Sequence, residues 1–111
     1  MGMVTAVVRG DIYLVNLNPT QGREIRKTRP CLVVSPDELN AHLSTFIVAP
    51  LTTGSHPYPF RVPFRFGGKA GHVVLDQVRT VDRQRLVRRV GRLGPDTLRL
   101  VLTVLQEMFA P

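Results

Sequence analysis

At 111 residues, 43 % of them hydrophobic, the chain reads as one domain over 1–111, long enough for a modest core without disulfide or metal staples. Fifteen Lys and Arg against eight Asp and Glu give +7, and thirteen of the fifteen are Arg, which argues against a cation-binding protein and for a polyanion partner, nucleic acid first; a GC-rich genome would give the same arginine bias. The single cysteine, Cys31, excludes a disulfide framework and any CxxC motif and fits a reducing cytoplasm, and no apolar run nears the roughly 18 residues of a membrane helix.

Met1 to Val8 has no basic residue before its apolar part, so no signal peptide is expected. Asp11 to Leu17 reads as a first strand, stopped by the turn cluster Asn18-Pro19-Thr20-Gln21-Gly22. Cys31 to Ser35 is continuously apolar until its last residue, the pattern of a strand buried on both faces, with Pro30 and Pro36 marking its ends. Ser44 to Leu51 is a third strand. Phe60 to Phe66 alternates aromatic or aliphatic residues with Arg61, Pro63 and Arg65, and Pro63 marks it as an edge. Gly71 to Val78 and Leu86 to Leu93 complete five or six strands, with a short helical turn near Asp82 to Arg85. Gly94-Pro95-Asp96 opens the one long helix, with Pro at its first position and an acid in its first turn. Leu98, Val101, Leu102, Leu105, Met108 and Phe109 share a face that Leu100 and Val104 widen to about 200°. An arc that wide fits a subunit interface or a groove in the helix's own domain. Short strands and one terminal helix give a mainly β, α+β fold: a small curved sheet or barrel whose connections are too short for parallel crossovers.

Charge is uneven, +1 over residues 1–60 and +6 over 61–111. The segment Gln21 to Pro30 holds four cations and one carboxylate between two strands. It is either a solvated basic loop or a phosphate-binding one. Arg29 precedes Pro30 and so has an extended, rooted backbone, which lets it present its fork to a phosphate, while Arg23, Arg26 and Lys27 raise the local potential. Thr52 and Thr53, followed by Gly54, either cap a turn or donate to a phosphate oxygen beside Arg29. In Asp76-Gln77-Val78-Arg79 the amide and the guanidinium suit a base edge and a phosphate, and a plain strand end explains the same letters. His42, His56 and His72 are too dispersed for a metal site, and there is no P-loop, nucleophile elbow or zinc pattern.

Arg9 to Val15, Asn18 to Glu24, Thr28 to Pro36, Pro50 to Thr53, Tyr58 to Phe60 and Asp76 to Arg79 together resemble the MazF/PemK toxins in order and spacing, from about Arg9 to Phe109. The resemblance implies an SH3-like barrel closed by helices. It also implies a homodimer, and a sequence-specific endoribonuclease that uses no metal or other cofactor and is neutralised by a cognate antitoxin. By the same resemblance Arg29 and Thr52 form the catalytic core, Glu24 is implicated as a base or as the group orienting Arg29, and Asp76 and Gln77 line the RNA groove. Arg23, Arg26, Lys27, Thr53 and Arg79 are the further expected RNA contacts. One position departs from the pattern: where some members carry a basic residue two before the Asp, this chain has Val74. Two rival readings are a non-catalytic toxin of the same fold that binds DNA gyrase, and a small basic RNA-binding barrel. Arg29 and Thr52 at the family positions favour cleavage.

Overall fold

The computed structural model describes residues 6–54 and 56–111; the first five residues of the segment read for targeting, Met1 to Thr5, lie outside the described residues. Seven strands run β1 (Asp11–Asn16), β2 (Thr28–Val33), β3 (Thr45–Thr53), β4 (Arg61–Phe66), β5 (Lys69–Val74), β6 (Arg79–Asp82) and β7 (Leu86–Arg92). A short helix α1 (Asp37–His42) follows β2, 3-10 turns span Leu75–Gln77 and Arg83–Arg85, and α2 (Pro95–Phe109) ends the chain. Every strand pairing is antiparallel, in the order β4-β5-β3-β2-β1-β7, with β6 joined to β3.

The reason for an apolar β2 is visible in its neighbours. Successive residues of β1, β2 and β3 point to opposite faces, and both faces are covered. Ile12, Leu32, Ala49 and Leu51 join one core with Val62, Phe64, Val73, Leu75 and Val101 of α2. Tyr13, Val15, Cys31, Val33, Phe46 and Val48 join a second core with Leu17 and Val81. A sheet buried on both faces needs a continuous hydrophobic run in its central strand.

Seven strands stand where five or six were expected, and three differences from the sequence reading matter most. Pro30 lies inside β2, opposite Leu14, because the β2–β3 ladder starts only at Cys31 and makes no demand for its missing N–H on that side. The strand expected over Gly71–Val78 stops at Val74, where the chain tightens into the 3-10 turn and restarts as β6. Helix α1 was not expected; it starts after Pro36 with Asp37 and Glu38 in its first turn. Pro63 does sit on an edge strand, β4.

Pro50 is tolerated inside the nine-residue β3 for a related reason. One side of β3 pairs with β6 as far as Val48 and with β5 only from Leu51, so Pro50 falls in the gap between the two partners. Beyond that gap β5 presses closely on β3: a Cβ on Gly71 would stand 1.7 Å from the Thr52 carbonyl oxygen. The far ends of the sheet also meet. The Phe66 ring of β4 occupies the space over Gly91 of β7, 2.3 Å from where a Cβ would lie, and this curls the open sheet without a ladder between those strands.

On α2 Val101 is fully buried and Leu98, Val104, Leu105 and Met108 pack against the first core, while Leu100 and Phe109 remain 48 % and 71 % exposed. Phe109 and Leu105 border an apolar groove of about 440 Å³ with Val34, Pro36, Ile47 and Val78. The wide arc therefore serves partly for packing and partly as open surface. No helix among the described residues is long and apolar enough to cross a membrane.

Because the obstacle at Gly71 is backbone rather than a movable side chain, Gly71→Ala should destabilise the fold by about 2–3 kcal/mol, lowering Tm by roughly 10–20 °C in thermal unfolding. An unchanged Tm would mean that β5 does not sit this close to Thr52.

Candidate nucleic-acid interface

The polar segment after β1 is held at its base and folded on itself. Leu17 N donates to the Lys27 carbonyl (3.0 Å), and Lys27 N donates to the Asn18 side-chain oxygen (3.1 Å). With both backbone groups engaged, Lys27 is kept at φ 70°, a left-handed conformation that a lysine rarely adopts. From below, Arg79 donates to the Leu17 carbonyl (3.2 Å), and one Arg85 Nη donates to the carbonyls of Asn16 and Asn18.

Inside the loop the Glu24 carboxylate accepts from Gln21 N (2.6 Å) and Arg26 donates to the Gly22 carbonyl (3.1 Å). Arg29, at the start of β2, donates from Nε to the Arg26 carbonyl (3.3 Å). Orientation of Arg29 thus comes from a backbone carbonyl, and Glu24 turns toward its own loop. Arg23, Arg26, Lys27 and Arg29 are all exposed.

Across from this loop stands the 3-10 turn Leu75–Gln77. Gln77 accepts from Ile25 N through its side-chain oxygen (2.8 Å), so the turn grips the loop directly. Asp76 takes a two-pronged ion pair from Arg61 of β4, 2.9 Å at each contact. The hydrogen bonds from Arg61 hold the Asp76 carboxyl below the usual carboxylate range, and the same contacts raise Arg61. Arg61 also lies 4.9 Å over the Tyr58 ring.

The threonines complete the site. In the β2–β3 ladder Cys31 faces Pro50, where the pairing ends; Arg29 lies two residues before Cys31 on β2 and Thr52 two residues after Pro50 on β3. Thr52 Oγ1 is buried and, among the described residues, has no hydrogen-bond partner. A hydroxyl in that condition costs about 1–3 kcal/mol, which a ligand oxygen reaching it would recover. Thr53, on the opposite face of the strand, is exposed.

Six of the ten expected site residues line one of two hollows. A cavity of about 180 Å³ is lined by Arg29, Pro30, Leu51, Thr53, Phe64, Phe66 and Lys69. A groove of about 430 Å³ is lined by Glu24, Ile25, Pro50, Asp76, Gln77, Val78 and Arg79. Thr52, Arg23, Arg26 and Lys27 line neither. Two contributors went unnoticed in the sequence. Lys69 adds a second cation beside Arg29, and Arg61 brings to Asp76 the positive charge that Val74, its neighbour across the β4–β5 ladder, lacks. The alternation of Arg61 with Val62 marks its face but not its partner.

In the second core Cys31 is fully buried, and burial pushes its thiol up to about 12 despite the opposing influence of Arg79. A thiol this high carries almost no thiolate at neutral pH. Iodoacetamide at pH 8 should therefore leave the native chain unlabelled and alkylate it only in denaturant; rapid native labelling, read by mass spectrometry, would contradict this burial.

With this geometry in hand, the chain can be set beside known proteins. The profile of the "PemK-like, MazF-like toxin of type II toxin-antitoxin system" family matches residues 8–109. "Endoribonuclease EndoA" of Bacillus subtilis is 35 % identical over 110 residues, covering 94 % of this chain and 95 % of its own. The crystal structure of MazF from Deinococcus radiodurans superposes with a TM-score of 0.82 at 28 % identity, covering 94 % of this chain and 96 % of its own. A mycobacterial endoribonuclease solved in complex with its cognate antitoxin superposes at 0.80 with 25 % identity, covering 96 % and 98 %. A match across nearly the whole chain, with the same curved sheet and terminal helix, establishes that this protein belongs to the PemK-like, MazF-like toxin family.

Proposed function

We propose that the chain is a cytoplasmic endoribonuclease toxin that cuts single-stranded mRNA at particular sequences without a metal ion and is neutralised by a cognate antitoxin. The activity is the one named for EndoA, and the antitoxin follows the complexed mycobacterial neighbour. The observation that carries the chemistry is the unpartnered Thr52 hydroxyl, next in the chain to Thr53, which lines a hollow with Arg29 and Lys69.

RNA supplies its own nucleophile. The 2′-OH attacks the adjacent phosphorus, the bond to the 5′-oxygen breaks, and the products are a 2′,3′-cyclic phosphate and a 5′-OH. What the protein must provide is position and charge. Arg29 stabilises the crowded phosphorane with its fork, and Thr52 donates to a non-bridging oxygen. With a pKa above about 12 an arginine is a poor proton donor, so its part is electrostatic. Glu24, the one carboxylate of the loop, takes the 2′-OH proton, and the departing 5′-oxygen takes one from water, so that the 5′-OH product balances.

The groove of Asp76, Gln77 and Arg79 accommodates the strand, with Thr53 at its margin and Arg23, Arg26 and Lys27 contacting phosphates from the loop. Unpaired bases exposed along such a groove can be read on their edges. Two copies form a homodimer that doubles the +7 charge and covers the apolar groove bounded by Leu105 and Phe109. An acidic antitoxin segment that folds on binding suits so basic a surface.

Incubation with a long RNA in EDTA, followed by mapping of 5′ ends, should give cuts at a recurring sequence; uncut RNA from folded protein overturns the reading. Arg29→Ala and Thr52→Ala should each lower kcat by about 100-fold or more while the fold survives, in line with the loss of one preorganised donor. If both cut normally, other residues do the chemistry. For the dimer, light scattering at micromolar concentration should give twice 12.4 kDa, and a 12.4 kDa particle would refute it.

A further inference from the structure

The 56–61 segment and the polar loop are joined by a continuous set of contacts. The stretch from His56 to Arg61 is folded tightly: Tyr58 N donates to the His56 carbonyl (2.8 Å), Arg61 N donates to the Tyr58 carbonyl (3.2 Å), and Phe60 sits at φ 63°. The His56 and Tyr58 rings meet edge to face at 5.9 Å, and the Arg61 guanidinium covers Tyr58 at 4.9 Å. From Arg61 the chain of contacts passes through the fork to Asp76 and along the 3-10 turn, which Val78 N closes onto the Leu75 carbonyl (3.2 Å). Gln77 then holds Ile25 N at 2.8 Å, within the loop that bears Glu24 and supports Arg29. The partners are 15 and 52 residues apart in sequence, so no local propensity accounts for them.

We propose that Arg61 and Asp76 are positioning residues which couple the 56–61 segment to the polar loop through the Leu75–Gln77 turn, so that the turn and the loop lining the RNA groove are held in one arrangement. Asp76 lines the groove, but both its oxygens are already engaged by Arg61, and a carboxylate in a cationic groove would repel phosphate if left unpaired. The fork neutralises it and fixes the turn together. Tyr58 is 53 % exposed, so the guanidinium supports a ring that still presents surface to an unstacked base. The catalytic consequence rests on the endoribonuclease reading; the mechanical coupling does not.

The test measures amide hydrogen exchange at Ile25 by NMR in the wild type, Arg61→Met, Asp76→Asn and the double variant, alongside steady-state cleavage of one short RNA carrying the wild-type cleavage sequence. Each single variant should speed exchange at Ile25 by about fivefold or more and lower kcat by about tenfold, with KM moving less than about twofold. The double variant should be no worse than either single, because two residues acting as one unit give non-additive losses. Arg61→Lys, which keeps the charge but loses the fork, should exchange like Arg61→Met and serves in its place if Arg61→Met does not fold. Unchanged Ile25 exchange, or losses that add in the double variant, would overturn the proposal. Should the wild type cut no RNA, the functional reading falls, while Ile25 exchange still decides the coupling.

Discussion

Strand β3 has more neighbours than a strand can pair with at one time. It has two edges and must serve β2, β6 and β5, so it changes partner on one edge between Val48 and Leu51. A residue without an N–H fits that gap, and Pro50 fills it. Past the gap the strand runs beyond the end of its ladder with β2 while β5 presses on its backbone at Gly71. Thr52 is thus set on a rigid strand, yet at a point where the sheet leaves its hydroxyl without a partner. The candidate site lies beside the point where the ladder changes partners, with Thr52 on a firmly held strand and its hydroxyl, among the described residues, without a hydrogen-bond partner.

The arginines divide by what holds them. Arg89 and Arg92 converge on the buried Asp11, at 3.1 and 2.9 Å, and fasten β7 to β1. Arg61 is neutralised by Asp76, and Arg79 and Arg85 brace the carbonyls at the loop base. The cations left facing outward around the hollows are Arg23, Arg26, Lys27, Arg29 and Lys69. A net charge of +7 thus conceals a local field in which the arginines paired with carboxylates count for less than those bonded only to carbonyls or facing solvent.

Local chemistry was legible in the sequence wherever local chemistry decides. The apolar run from Cys31, the edge proline Pro63 and the Gly94-Pro95-Asp96 helix start each announce their element, because burial, a missing donor and a cap are properties of a few adjacent residues. Short pieces with weak periodicity were not: α1 is six residues long and β6 only four, and β6 exists because β3 offers it a free edge. The same limit applies to the site. Arg29 and the Thr52–Thr53 pair stood out through their immediate neighbours and the family pattern, whereas Lys69 and the grip of Arg61 on Asp76 depend on strand pairing.

The seam between Phe66 and Gly91 closes the curl of the sheet with an aromatic ring instead of a ladder. Sliding a ring off a glycine breaks no backbone hydrogen bond and costs only apolar contact, about 1.5–3 kcal/mol for a fully buried side chain and less for a half-buried one. Unzipping any of the antiparallel pairs would cost far more. Phe66 also forms part of the wall of the cavity beside Arg29. The position of that one ring therefore sets part of the shape of the cavity, and its seat on Gly91 ties the cavity wall to the far end of the sheet.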